Sequence, residues 1–150
     1  AKRTGYKLVY LLHPIISAQL KDYGEVDNVE LIQATTVNYE KILTESSLML
    51  TDYSGVQFDF AYMRKPVVYY HPPNLPPHYV EGGFFYDTQG FGEICTEHQE
   101  LVDILCDYME HQCTLKDFYR KRQDDFFAFS DHDNCKRIFE DAYTWQKEKK

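Results

Sequence analysis

The chain has no apolar run long enough to cross a bilayer, so membrane contact by this stretch has to be peripheral or through a partner. It is short of positive charge, with 16 Lys and Arg against 24 Asp and Glu and a net charge of -8. That balance disfavours a general nucleic-acid or anionic-lipid surface, and any phosphate must be held locally. The cations gather at Lys2-Arg3, Arg64-Lys65, Lys116 to Arg122 and Lys147 to Lys150, where solvated faces and chain ends are the ordinary reading. The four cysteines, Cys95, Cys106, Cys113 and Cys135, form no Cys-x-x-Cys pair and have no histidine at zinc-finger spacing. With no secretory signal ahead of them they are expected as reduced cytosolic thiols, Cys106 and Cys113 packing on one face of a helix. His78, His98, His111 and His132 have no spacing that implies a shared metal, so neither a metal site nor a cofactor is expected. Internal repeats, low-complexity blocks and domain boundaries are also missing, which leaves one domain over residues 1–150.

What is present is a core. Hydrophobic residues make up 43% and aromatics 16% of the 150 residues, enough for a single folded domain and against a disordered tail. Lys7 to Leu12 reads as a strand closed by His13-Pro14, with helical character over Ile15 to Tyr23. Val29 to Ile32 reads as a strand, Val37 to Leu43 as a short helix, and Leu48 to Thr51 as a strand. Val56 to Met63 reads as a helix with Val56, Phe60 and Met63 on one face, and Pro66 to Tyr70 as a strand with proline where its missing donor matters least. Such alternation predicts an α/β fold with a Rossmann-like, doubly wound parallel sheet. The proline-rich His71 to Tyr79 reads as an extended loop, Gly82 to Asp87 as a last short strand or turn, and Gly90 to Gly92 as a flexible loop beside the sheet edge. Helices are expected over Glu97 to Gln112, with Leu101, Ile104, Leu105 and Tyr108 on one side, and over Leu115 to Phe129 and Cys135 to Trp145.

The most informative stretch is Leu48 to Val56. A buried strand running through Thr51-Asp52-Tyr53-Ser54-Gly55 into a helix offers free backbone N–H groups at the carboxyl edge of a sheet, a place for a phosphate. Ser54 can cap the helix and Gly55 lets a ligand approach the backbone. The same residues also read as an ordinary N-cap and turn, with Asp52 organising the turn. His13, at the end of its strand, reads either as a donor to phosphate oxygen or as a histidine satisfied by nearby backbone. Arg64 could reach a phosphate or simply complement a helix C-terminus, and Thr96 could meet a ligand or open the next helix.

Leu12-His13-Pro14, then Leu50 to Val56 with Phe58-Asp59, then Lys65-Pro66-Val67-Val68 resemble, in order and spacing, the CDP-glycerol glycerophosphotransferase family of teichoic-acid polymerases. Gly83 to Asp87, Glu100-Leu101 and Asp131 with Arg137-Ile138 resemble that family's tail. The resemblance implies the carboxyl-terminal, donor-binding half of a two-domain GT-B arrangement, part of a longer enzyme lacking here its amino-terminal half and the strand that opens the carboxyl-terminal half. It implies transfer of glycerol phosphate or ribitol phosphate from a CDP-alditol to a hydroxyl of a teichoic-acid or polysaccharide acceptor, with CMP leaving, at the inner face of the cell membrane. His13 is then the catalytic candidate, and His13, Ser54, Gly55 and Asp52 form the donor-phosphate set. Arg64, Gly92, Thr96 and Glu100 are weaker nucleotide-binding candidates. The chain departs from the family at Gly55, where a second Ser is usual, at His132 in place of Gly, and at His71, where an Asp is common. A nucleotide-sugar glycosyltransferase of GT-B type and a non-catalytic Rossmann-like assembly or regulatory domain are the rival expectations. A strand missing from the sheet's centre also predicts a homodimer, or direct pairing of the strands beside the gap.

Overall fold

The structure, a computed structural model, describes residues 3–74 and 83–149. The first unit is β1 (Leu8–Leu12), a 3-10 helix over Pro14–Asp22, and β2 (Val29–Gln33). Proline at the first helical position and the His13 ring at the cap fix where that helix begins. After a short 3-10 turn comes α1 (Tyr39–Glu45), capped by Asn38, whose Oδ1 accepts from the Lys41 N–H at 3.0 Å. The second unit contains β3 (Met49–Thr51), α2 (Val56–Tyr62), β4 (Val67–Tyr70), α3 (Tyr86–Gln89) and β5 (Gly92–Cys95). Three helices follow: α4 (His98–Glu110), α5 (Asp117–Phe126) and α6 (Asn134–Glu148).

Every strand pairing is parallel, as the alternation predicts, but the strands form two small sheets, β1-β2 and β3-β4-β5, rather than one. No pairing joins β1 to β3, so the expected direct pairing of the strands beside the gap does not occur among the described residues.

β4 organises the core because it is covered on both faces. Alternation along the strand sends Val67 and Tyr69 into one cluster with Phe60, Ala61 and Phe91, and Val68 into another with Cys95, Leu101 and Tyr108. α2 therefore covers one face and α4 the other, and the expected apolar side of α4 is the one that packs. Of the expected face, Phe60 is buried and Met63 packs partly against the same cluster, while Gln57 and Ala61 rather than Val56 complete the fully buried positions of α2. Lys65 closes the open end of α1, its Nζ donating to the carbonyls of Leu43, Thr44 and Ser46 at 2.6–2.9 Å.

Three expectations are corrected in the second half. The segment read as a last strand or turn becomes α3 from Tyr86, and the strand comes later, at β5. Gly92 is thus not in a flexible loop: it is buried as the first residue of β5, where any Cβ would overlap the Val67 carbonyl. Cys113 lies past the end of α4 with φ +50°, so it does not share a helical face with Cys106. Residues 75–82, including His78 and most of the proline-rich loop, lie outside the described residues.

Candidate phosphate turn at the carboxyl edge of the sheet

In the three-stranded sheet all strands run the same way, so the residues following Thr51, Tyr70 and Cys95 share one edge. Asp52 to Gly55, His71 and Thr96 stand there. Ser54 Oγ accepts from the Val56 N–H at 3.3 Å and Ser54 O from the Gln57 N–H at 3.3 Å, so Ser54 does hold the start of α2. Gly55 occupies the N-cap position itself, exposed, with open space where a Cβ would stand. At seven residues α2 offers only a weak dipole, and an anion here would depend on hydroxyl and amide hydrogen bonds. Asp52 is exposed, and its carbonyl, rather than its carboxylate, makes the contact that ties the turn to the sheet.

That contact comes from His71, whose Nε2 lies 3.2 Å from Asp52 O while its ring stacks on Tyr53 with centroids 4.0 Å apart. Tyr86 meets the same two rings edge-on, at 4.8 Å from His71 and 5.5 Å from Tyr53. Beneath them Gln57, fully buried, accepts from Tyr69 Oη at 2.5 Å and donates to Tyr86 Oη at 3.1 Å. Tyr69 Oη in turn accepts from the Phe91 N–H at 3.1 Å, so this polar chain inside the core is hydrogen-bonded from strand to helix. Sequence reasoning assigned no role to His71, Tyr86 or Gln57. Their one signal was the departure at His71, directly after the fourth strand.

The remaining candidates divide by position. His13 follows β1, and its Nδ1 accepts from the Ile15 N–H at 3.2 Å, so in the neutral ring the proton sits on Nε2, the nitrogen then able to donate. Tyr10 on the same strand has its phenol raised by burial, then by Tyr23, and less by the Asp52 carboxylate. The Asp52 charge thus reaches the β1-β2 unit. Thr96 and Glu100 are exposed beyond the end of β5, on the same edge as the Ser54 turn. Glu97, not Thr96, occupies the cap of α4 and makes no side-chain cap bond.

Arg64 and Gly92 lie elsewhere. Arg64 follows the far end of α2 from Ser54, adopts φ +59°, and its guanidinium pairs with Asp124 at 2.9 Å and sits over Phe127. Gly92 pairs with Val67 at the amino edge of the sheet. Neither is brought to the turn. Asp131 and Arg137 form an ion pair, and Arg137 together with the Asp133 N–H holds the Asp131 carboxyl below its usual range. Tyr62 Oη donates to Asp131 O at 2.8 Å, which places that pair by the end of α2 and makes it a tether for the tail.

Comparisons with known proteins agree with the motifs. The family described as CDP-Glycerol:Poly(glycerophosphate) glycerophosphotransferase matches residues 1–143. The minor teichoic acid biosynthesis protein GgaB of Bacillus subtilis (strain 168) is 38% identical over 139 residues, covering 93% of this chain and 15% of that protein. A processive diacylglycerol beta-glucosyltransferase of Staphylococcus epidermidis is 25% identical over 126 residues, covering 83% of this chain and 31% of that protein. The counterpart from Staphylococcus haemolyticus (strain JCSC1435) is 25% identical over 121 residues, covering 80% and 29%. The chain thus spans under a third of the length of the relatives it matches, and no solved structure matches it significantly. With a family match over nearly its full length and the Thr51 to Val56 block set at a strand's carboxyl end, the chain belongs to the CDP-glycerol:poly(glycerophosphate) glycerophosphotransferase family.

Proposed function

We propose that this chain is the nucleotide-donor-binding half of a two-domain, GT-B-like transferase that moves glycerol phosphate or ribitol phosphate from a CDP-alditol to a hydroxyl of a teichoic-acid or polysaccharide acceptor. The observation that carries this is the family match over residues 1–143, with Ser54 and Gly55 presenting a hydroxyl and backbone donors at the carboxyl edge. In the reaction the acceptor oxygen bonds to the alditol-bearing phosphorus, and the bond from that phosphorus to the bridging oxygen breaks. CMP leaves with the charge. Such chemistry needs positioning and charge neutralisation more than covalent help. His13 Nε2, Ser54 Oγ and the Gly55 N–H hold the pyrophosphate in this reading, His13 being the group that follows charge onto the leaving CMP. Asp52 holds the turn, and Thr96 and Glu100 meet the ribose in this reading. Arg64 and Gly92 have no part. The amino-terminal half brings the acceptor and the base, and the whole enzyme works in the cytoplasm against the inner membrane face.

The likeness to diacylglycerol beta-glucosyltransferases favours a second reading, a nucleotide-sugar donor on the same edge. Calorimetry with CDP-glycerol, CDP-ribitol, UDP-glucose, CMP and cytidine separates the two. CDP-alditols should bind, and Ser54→Ala should weaken them by about 1.5–3 kcal/mol while costing about 1 kcal/mol of stability through the lost hydrogen bond to the Val56 N–H. His13→Ala should act on the same ligand, the double variant should lose less than the two singles summed, and cytidine should notice neither. Preference for UDP-glucose selects the second reading. Binding of no nucleotide selects a non-catalytic assembly domain.

A further inference from the structure

We propose that His71 is a positioning residue that clamps the Asp52 to Gly55 turn from the neighbouring strands and so sets the geometry of its donors. This rests on the proposed function for its ligand but not for its geometry. The backbone of His71 is itself fixed, its N–H donating to Cys95 O at 2.8 Å just beyond the last pair of the β4-β5 ladder. From that anchored point the ring reaches across to β3's end, with Nε2 on Asp52 O at 3.2 Å and one face on Tyr53. The contact to a carbonyl puts a proton on Nε2, since only an N–H can donate there.

The turn needs such a clamp because its own fastenings are few. β3 has three residues and α2 seven, Gly55 has no side chain to cap with, and the Ser54 Oγ bond to Val56 N is 3.3 Å long. Tyr53 is the turn residue with the most surface to hold, and it is gripped on its face by His71 and at the ring edge by Tyr86. The Tyr86 hydroxyl is held in place by Gln57 from the first turn of α2. Both ends of the turn are thereby registered against β4 and β5: Asp52 and Tyr53 through His71, and the helix start through Gln57. A change at His71 should move Ser54 and Gly55 although no hydrogen bond among the described residues joins His71 to either.

Two substitutions divide the roles. His71→Phe keeps an aromatic face for Tyr53 and removes the donor to Asp52 O, and His71→Gln keeps a donor and removes the ring. In the ligand-free protein, amide hydrogen exchange at Val56 and Gln57, whose N–H groups bond to Ser54, should speed up by about tenfold in His71→Phe, the weight of one ordinary hydrogen bond. Exchange in β4 and α4 should stay as in wild type, and His71→Gln should recover part of the protection. In wild type, nitrogen NMR of the ring should show the proton on Nε2. With CDP-glycerol, His71→Phe should lower affinity about tenfold, leave cytidine unchanged, and make Ser54→Ala nearly silent, because a displaced hydroxyl has less to lose. Unchanged exchange at Val56 and Gln57, or a proton only on Nδ1, overturns the clamp. Faster exchange in a protein that binds no CDP-glycerol leaves the clamp standing and removes the proposed donor instead. Fully additive losses for His71→Phe and Ser54→Ala mean that His71 acts apart from the turn, which also overturns it.

Discussion

Glycine at 92 and glycine at 55 look alike in the sequence and do opposite things in the fold. At 92 a Cβ would overlap backbone, the Val67 carbonyl of the adjoining strand, and neither strand can retreat because β4 is packed on both faces. At 55 the backbone is in the ordinary helical region with open space around it. Gly92→Ala should therefore cost about 3 kcal/mol or more in urea unfolding, as backbone overpacking in a core does. Gly55→Ala should be neutral or stabilise by up to about 1 kcal/mol, through loss of freedom in the unfolded chain. Equal effects would mean that the β4-β5 approach is looser than described. The pair also shows where reading residues in order stops. The Thr51 to Val56 block was legible because a strand, a hydroxyl, a glycine and a helix follow one another along the chain. The reason for Gly92 is a carbonyl 25 positions earlier, which no local pattern displays. His71 escaped for the same reason: its partners, Asp52, Tyr53 and Tyr86, meet only when three segments meet.

Apart from α3 and β5, strands and helices were legible element by element, because apolar runs bounded by proline, glycine and polar turns mark them directly; their parallel sense was legible too, whereas their division into two sheets was not. The runs PVVYY and KLVYLL both read as strands, and in the structure the first is buried on both faces. The second is not: Leu8, Val9 and Tyr10 of β1 are each more than two-fifths exposed, as is Leu50 of β3. Among the described residues no pairing joins these two strands. The orders β1-β2 and β3-β4-β5 are compatible with the expected doubly wound sheet lacking one central strand. Bare apolar strands with free edges recruit other strands. Sedimentation of this chain should show concentration-dependent dimers. Val9→Lys should shift it toward monomer without lowering its melting temperature, since Val9 is half-exposed already and a lysine blunts an edge. A monomer at every concentration would show that the edges do not attract.

On the scale of the whole molecule, what the sequence cannot display is which groups share the one interior, and the cysteines report on that. Four free thiols, indistinguishable by spacing, occupy different surroundings: Cys95 and Cys113 are buried, Cys106 is half-buried and Cys135 is exposed. Cys95 lies between the end of β5 and α4, where burial first, and then the Glu100 and Glu93 carboxylates, push its thiol up to about 11. Since the thiolate is the nucleophile, iodoacetamide at pH 8 should label Cys135 at the rate of a free thiol and Cys106 more slowly. Cys95 should react only through opening of the domain, at a rate falling with its stability. The same shift carries a sign. A thiol ionises near 9 in the unfolded chain, so above that pH the unfolded state has released a proton that the folded state still holds. Stability should be independent of this group below pH 9 and should fall as pH rises from 9 toward 11. Burial also raises the Tyr108 phenol, which works in the same direction at higher pH, whereas Lys65, lowered by burial, works in the opposite one. The comparison that isolates Cys95 is therefore Cys95→Ala against wild type in urea at pH 8 and pH 10.5. The variant should begin less stable, having lost a packed side chain, and the gap should narrow at the higher pH because only wild type carries this proton linkage. A gap of constant width would place Cys95 in contact with water, and with it would go the packing of α4 on β4 and β5 that holds the carboxyl edge in shape.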